Sequence, residues 1–262
     1  MKKERKPSVA ILVLSCDKYQ DLWKPFFHQF WIHWPNCPYT IYLGSNTKTY
    51  EDKRVETVLS GPDKDWSSSL LSILKQILEE HLFIWLDDKF LLSQTNIENW
   101  ERCWNLLRKK AYHIHMSELP RADGRSSEGI FGLYEKGAPY RVNVLGFWRK
   151  SYLEQVLLPG ESPWQFEIMG SYRSSFDDGF YCTFEPVFQN LHVVEKGMII
   201  RESAEYCKRH NIPLSVKVRT KLHREHQIRS IAQKYFFNAA SLLPWKYRVR
   251  AMNMLRKLLI SY

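Results

Sequence analysis

The stretch Phe83-Ile84-Trp85-Leu86-Asp87-Asp88-Lys89-Phe90 constrains this chain most. An apolar run with no polar interruption suits a strand buried on both faces of a parallel sheet. Two adjacent carboxylates directly after it lie at the strand's carboxyl end, where open α/β sheets bind ligands. Aspartates at that rim can hold a hard divalent cation through oxygen, and the cation can then hold a diphosphate. A surface turn is the plain alternative, because Asp is a common turn residue.

The rest of the chain sets that stretch in an α/β order. Val9–Leu14 reads as a first buried strand, with Ser15-Cys16-Asp17-Lys18-Tyr19 as the loop at its carboxyl end. From Asp21, Leu22, Trp23, Phe26, Phe27, Phe30, Trp31 and Trp34 recur at helical spacing and form a wide apolar stripe. Tyr39–Leu43 is the second strand, Gly44-Ser45-Asn46 its rim loop, and Val55–Leu59 the third strand. Ser67, Ser68 or Ser69 can cap the helix that carries Leu70, Leu71, Leu74, Ile77 and Leu78. After the acidic pair, Thr95-x-x-Glu98 is a capping box opening a helix with Trp100, Trp104 and Leu107. Strands alternating with helices predict a mostly parallel sheet flanked by helices. Tyr112–Met116 and Arg141–Trp148 read as further strands, Ser162-Pro163 as a helix start, and Glu195-Lys196-Gly197 as a hairpin turn.

Composition narrows the partners. Of 262 residues, 44% are hydrophobic and 25% charged, which is a globular and not a disordered balance. The net charge of +10 favours an anionic partner: a phosphorylated substrate, an anionic membrane or nucleic acid. Five cysteines without a C-x-x-C pair argue against a zinc ribbon or a disulfide framework and fit a reducing compartment. The basic start Lys2–Lys6 ahead of a short apolar run mimics a signal peptide, but a run of six residues without a small-residue cleavage site reads better as a strand. No apolar run reaches the eighteen or so residues of a spanning helix.

Basic residues dominate from about residue 205, which predicts a catalytic domain over 1–204 and a basic helical extension over 205–262. Residues 242–260 mix apolar and cationic side chains at helical spacing. Such a helix can lie on an anionic membrane, or dock on the domain with its basic face solvated.

Taken together, Val9–Tyr19 with its aromatic helix, and Leu86-Asp87-Asp88 at the end of a later strand, resemble the GT-A-fold nucleotide-sugar glycosyltransferases, in particular bacterial family-2-like enzymes of surface polysaccharide assembly. Gly146–Leu153 is similar to the stretch that enters their acceptor-side helix, and Trp164-Gln165-Phe166-Glu167 to their Trp-x-x-Glu. The resemblance covers roughly residues 8–200. It implies a GT-A (Rossmann-like) α/β fold and transfer of a sugar from a nucleotide-sugar donor to a glycan or lipid-linked acceptor, in capsule or lipopolysaccharide synthesis. The expected place of action is the cytoplasm, peripheral at the inner face of the plasma membrane.

The same resemblance places Ser15, Asp17, Lys18 and Tyr19 against the nucleotide, with Asn46 standing where the family usually has an acid. The family's Asp-x-Asp is here Asp87-Asp88-Lys89. Asp88 is then the ligand of Mn2+ or Mg2+, Asp87 faces the ribose, and Lys89 can neutralise the diphosphate directly, which lessens the need for metal. Stabilising the leaving diphosphate is the chemical requirement in either case. An inverting transfer also needs a base for the acceptor hydroxyl. Glu167 is the first candidate and Asp177 or Asp178 the second, although a Glu that stabilises the helix dipole is the commoner reading of the first and turn formation the plain reading of the others. Trp148 and Trp164 can stack on acceptor sugar faces, though a Trp more often packs in the core.

His113 and His115 share a strand face and could bind metal, but no third ligand spacing supports this. Two other classes compete with a glycosyltransferase. A nucleotidyltransferase would need a Gly-rich phosphate loop after the first strand, and Ser15–Tyr19 has no glycine. A nucleic-acid-binding protein would account for the charge, but no such motif accompanies it, so no nucleic acid is expected as a partner.

Overall fold

Six consecutive apolar residues make β1 (Val9–Leu14), and all six are buried. The computed structural model describes residues 9–118, 120–215, 219, 243, 244, 247 and 250. After β1 come a 3-10 turn (Asp17–Tyr19), α1 (Gln20–His33), β2 (Ile41–Ser45), β3 (Glu56–Leu59), α2 (Trp66–Leu74) and β4 (His81–Leu86). Next are β5 (Lys89–Leu91), α3 (Ile97–Lys109), β6 (His113–His115), β7 (Gly124–Arg125), β8 (Phe131–Leu133), β9 (Gly146–Arg149) and α4 (Lys150–Val156). The described order closes with α5 (Pro163–Arg173), β10 (Phe180–Thr183), β11 (Asn190–His192), β12 (Val194–Glu195), β13 (Met198–Ile199) and α6 (Arg201–Arg209).

Nine strands form one sheet in the order β3-β2-β1-β4-β9-β6-β10-β8-β7. The strands from β3 to β4 pair in parallel, as do β6 and β10. β9 is antiparallel to both β4 and β6, so β6 runs the same way as β4. β8 is the other reversed strand, antiparallel to β10 and β7. The carboxyl ends of β2, β1, β4 and β6 therefore share one rim, and the segment entering β9 reaches that rim from the opposite direction. This is the expected α/β architecture, a mostly parallel sheet with helices on both faces.

The period of two along each strand divides the core between those faces. Val9, Ile11, Val13, Phe83 and Trp85 meet the stripe of α1 and the Trp100 face of α3. Ala10, Leu12, Leu82 and Ile84 meet α2, α4 and Phe166 of α5. The aromatic stripe of α1 is thus a sheet-facing core surface, with Phe26 and Phe30 edge-on to Trp85.

Several boundaries differ from the sequence expectation for physical reasons. The α2 cap is Asp65, not a serine: its carboxylate accepts the Ser68 N–H at 2.8 Å and the Ser67 hydroxyl at 2.9 Å, a stronger acceptor at a positive helix end. Asn96, not Thr95, caps α3 by accepting the Asn99 N–H at 3.0 Å. Residues 141–145 form no strand, because side chains take their backbone donors. Val142 N–H goes to Ser171 Oγ, Asn143 N–H to His113 Nε2, and Val144 N–H to Glu167. The expected boundary after residue 204 falls inside α6, whose Ala204 and Cys207 belong to the α1-side core. The helix expected over 242–260 lies outside the described residues, apart from isolated positions.

Gly146 opens β9 with a φ of 150°, and a Cβ there would stand 2.4 Å from the Ile114 carbonyl. A side chain at this point collides with the β6 backbone in a conformation L-residues rarely adopt. Gly146→Ala is expected to lower urea unfolding stability by about 2 kcal/mol or more. Unchanged stability would show that the β6–β9 contact is not tight.

Candidate functional site

The site begins with register. Leu14 pairs with Leu86, so the residues that follow, Ser15 and Asp87, emerge side by side at the rim. Ser15 Oγ donates to Asp87 Oδ2 and accepts the indole N–H of Trp23 from α1 at 2.6 Å. Asp87 is 5% exposed. Burial, and then the neighbouring Asp88 charge, pushes its carboxyl well above the usual range, with the Ser15 bond only partly opposing. Asp87 therefore favours its neutral form, and both aspartates line the cavity.

A turn fixed from two sides presents Asp88. The Trp85 indole donates to the Lys89 carbonyl at 2.8 Å, and Val193 N–H donates to the Asp88 carbonyl at 2.9 Å. β11 pairs with β5 and sets His192 opposite Lys89. His192 Nε2 lies 3.3 Å from Asp88 Oδ2, while Asp88 Oδ1 is buried and, among the described residues, has no hydrogen-bond partner. Among the described residues no group of three or more His, Cys, Asp or Glu side chains is placed to hold a metal ion. A carboxylate with an orphaned oxygen beside an imidazole nonetheless fits a divalent cation that takes its other positions from diphosphate oxygens and water. Burial lowers the Lys89 ammonium, opposed by Asp88, Glu195 and Glu167, so a cation stands among three carboxylates.

These groups line a cavity of ≈ 540 Å³. Ser15, Tyr19, Asp87, Asp88 and Lys89 form one part of its wall, and Glu167, Trp164 and Trp66 another. The capping box of Ser162 and Gln165 starts α5 at Pro163 and so projects Glu167 one turn into the helix. Glu167 Oε1 accepts the Val144 N–H at 3.4 Å. Burial pushes its carboxyl up to about 7, against the lowering effects of that N–H and of Lys89. A carboxylate with this value, inside a cavity, can accept a proton near neutrality.

Other residues singled out in the sequence are placed elsewhere. The Asp17 carboxylate turns to the second strand's loop, accepting N–H bonds from Asn46, Thr47 and Lys48 at 3.0–3.1 Å. Burial opposes ionisation there, but those donors and the Thr47 hydroxyl hold Asp17 below its ordinary value. In return the Asp17 N–H donates to Asn46 Oδ1, so the two lock the β1 and β2 loops together and neither lines the cavity. Lys18 is exposed and paired with Asp63 at 3.3 Å. Trp148 is a core residue, stacked on His113 at 4.0 Å, and offers no face to a ligand. Asp177 accepts the Tyr152 hydroxyl at 2.5 Å and Asp178 pairs with Lys136 at 3.4 Å; both lie away from the cavity, which separates them from Glu167. Trp164, in contrast, lines the cavity with 56% of its surface exposed.

Residues that the sequence marks only as a hairpin turn, or not at all, complete the rim. Glu195 and Lys196 line it from the β12–β13 hairpin, whose turn residues Lys196 and Gly197 have φ of 50° and 79°, as a two-residue primed turn requires. Arg219 ties this hairpin to the β1 side. Its guanidinium grips Asp21 at 2.7 and 2.9 Å, donates to the Lys18 and Gly197 carbonyls at 3.2 and 3.3 Å, and covers the Tyr19 ring at 4.2 Å. No local motif marks Arg219 or His192 in the sequence; each reaches the site through pairing with a distant segment.

No family model matches the chain, and no curated protein matches it in sequence. Among solved structures it is similar to S. aureus TarS 1–349 in complex with UDP, at 9% identity and a TM-score of 0.45 over 90% of this chain and 70% of that one. It is also similar to the glycosyltransferase GlyE of Streptococcus pneumoniae TIGR4, at 11% identity and a TM-score of 0.44 over 94% of this chain and 63% of that one. Against the longer TarS chain the match has 11% identity, a TM-score of 0.42 and 67% coverage of this chain, and spans 36% of that chain. Likenesses of this depth assign no activity here.

The Arg219–Asp21 pair is nearly enclosed, with side-chain exposures of 7% and 16%. A double-mutant cycle of Arg219→Ala and Asp21→Ala is expected to show coupling of about 1–3 kcal/mol in urea unfolding. Additive losses would mean that the two do not act as a pair.

Proposed function

We propose that the protein is a glycosyltransferase that moves a sugar from a nucleotide-sugar donor to an acceptor hydroxyl by direct, inverting displacement. The observation that carries this is one cavity holding both Asp88-Lys89, suited to a diphosphate, and Glu167, a carboxyl raised to about 7 and suited to take a proton. In this mechanism the nucleoside lies toward Ser15 and Tyr19, and the diphosphate lies at Asp88 and Lys89. Where a divalent cation is used, Asp88 and His192 hold it, and it supplies charge to stabilise the leaving diphosphate. Lys89 contributes positive charge at the same place from the protein itself.

At the other end Glu167 takes the proton of the acceptor hydroxyl as its oxygen bonds to the anomeric carbon. The bond from that carbon to the diphosphate oxygen breaks, and the electron pair leaves with the nucleoside diphosphate. The exposed indole of Trp164 provides a flat platform against which an acceptor sugar ring can stack. A glycan or lipid-linked glycan acceptor, of the kind used in surface polysaccharide assembly, follows from this platform and from the resemblance of the sequence.

Two outcomes test the assignment. Asp88→Ala should keep the native fold by circular dichroism and lose at least about tenfold in affinity for the donor, a change of roughly 1.4 kcal/mol. Undiminished affinity would remove Asp88 from the site. The wild-type transfer rate at saturating donor should fall on acidification below about pH 7, because protonated Glu167 cannot accept the acceptor's proton. Glu167→Gln should bind donor but transfer about 100-fold more slowly or worse, without that pH dependence. A fully active Gln variant would rule Glu167 out as the base.

A further inference from the structure

We propose that Arg219 is a positioning residue for the nucleoside end of the cavity: it clamps Tyr19 and the Glu195-Lys196-Gly197 turn into one ordered wall, and donor affinity depends on that clamp. The proposal deepens the nucleotide-sugar reading of the cavity and rests on it.

Both pieces of this wall have slight local support. Tyr19 ends a single 3-10 turn (Asp17–Tyr19), with its N–H bonded to the Cys16 carbonyl at 2.9 Å. Glu195, Lys196 and Gly197 close a ribbon of two residue pairs, Val194 with Ile199 and Glu195 with Met198. Val194 and Ile199 are buried and anchor its base, whereas Lys196 at the tip is exposed, with a φ of 50°. A ribbon this short is marginal alone, and a residue other than glycine keeps such a φ only where its surroundings fix it. Yet Tyr19, Glu195 and Lys196 all line the cavity.

Arg219 joins the two pieces without lining the cavity itself. All three of its guanidinium nitrogens donate. Nε and Nη2 hold the two Asp21 oxygens at 2.9 and 2.7 Å. Nη2 also reaches the carbonyl of the Lys18–Tyr19 peptide at 3.2 Å, and Nη1 the Gly197 carbonyl at 3.3 Å. The guanidinium carbon lies 4.2 Å from the centre of the Tyr19 ring and so covers one of its faces. The far end of that ring approaches the turn: a Cβ on Gly197 would stand 4.0 Å from the Tyr19 hydroxyl. One side chain therefore meets the backbone that carries Tyr19, the ring, and the turn.

Its surroundings make Arg219 a brace and not a cation offered to the diphosphate. The side chain is 7% exposed, and the Asp21 carboxylate answers its charge. Stacking on a ring while forking to a carboxylate and two carbonyls is chemistry that a planar guanidinium performs and a lysine ammonium cannot reproduce. A ligand that meets a wall already ordered avoids the cost of ordering it on binding.

Calorimetry on the full chain with UDP, GDP, ADP, CDP and dTDP, with and without Mn2+, tests this. The wild-type chain should bind at least one of these nucleoside diphosphates. For that ligand Arg219→Ala should weaken Kd about tenfold with the binding stoichiometry unchanged. A merely structural role would lower the stoichiometry or the melting temperature and leave Kd as in the wild type, and that result would overturn the proposal. Arg219→Lys keeps the charge without the fork and should weaken Kd about threefold or more. Wild-type affinity in Arg219→Lys would show that charge alone matters, and would overturn the proposal as well. Combining Arg219→Ala with Tyr19→Ala should cost less than the product of the two single losses, because Arg219 acts in part through Tyr19. A loss equal to that product would contradict this. If Arg219→Ala does not fold, Arg219→Lys takes its place in both comparisons under the same criteria. Failure of the wild-type chain to bind any nucleoside diphosphate would instead overturn the parent reading, and this proposal with it.

Discussion

The burial of Asp87 at the end of β4 is the constraint on which the site depends. A carboxyl removed from water is strongly unfavourable as an anion unless it is hydrogen-bonded or neutral. Here Ser15 bonds it, Trp23 bonds Ser15, and the register of β1 on β4 brings the three together. This chain runs from the aromatic helix α1 through the first rim loop into the acidic turn. The same stripe that packs α1 on the sheet therefore orients the polar groups above it. With Asp87 held in this way, Asp88 has one oxygen near His192 and the other, among the described residues, without a partner.

The second half of the chain supplies what a parallel sheet alone could not. β9 enters antiparallel, so the residues before it arrive at the same rim as the ends of β1, β4 and β6. Their backbone donors bond to side chains rather than to a strand, and those bonds locate Glu167 and His113. The β11–β5 pairing and the Arg219 grip close the other side. Each wall of the cavity thus rests on contacts between segments distant in sequence. Its charges are mixed, with Lys89 among Asp88, Glu167 and Glu195, so the net charge of +10 is not the property that defines the site.

Much of the first half was legible because local pattern and burial agree there. Val9–Leu14 and Phe83–Leu86 are uninterrupted apolar runs, and strands buried on both faces are written that way. Ser162-Pro163 announced α5 because cap and first-turn chemistry are local. The failures came where a tertiary partner decided the outcome. Arg141–Leu145 has the alternation of a strand, yet its N–H groups bond to Ser171, His113 and Glu167. Asp17 and Asp177 are acids beside turns, and only the fold shows that their oxygens are occupied by the β2 loop and by Tyr152. His192 and Arg219 carry no signal at all, since a pairing register and a long-range ion pair cannot be read from neighbours in sequence.

The central claim is that this cavity binds a nucleotide sugar through its diphosphate. The most direct measurement is the melting temperature of the full chain against UDP- and GDP-sugars, with and without Mn2+ or Mg2+, since a ligand that binds the native state raises it by mass action. The account predicts a saturable rise with at least one nucleotide sugar that exceeds the effect of the free sugar alone and is diminished in Asp88→Ala. No rise with any nucleotide sugar, in the presence or absence of metal, would contradict it.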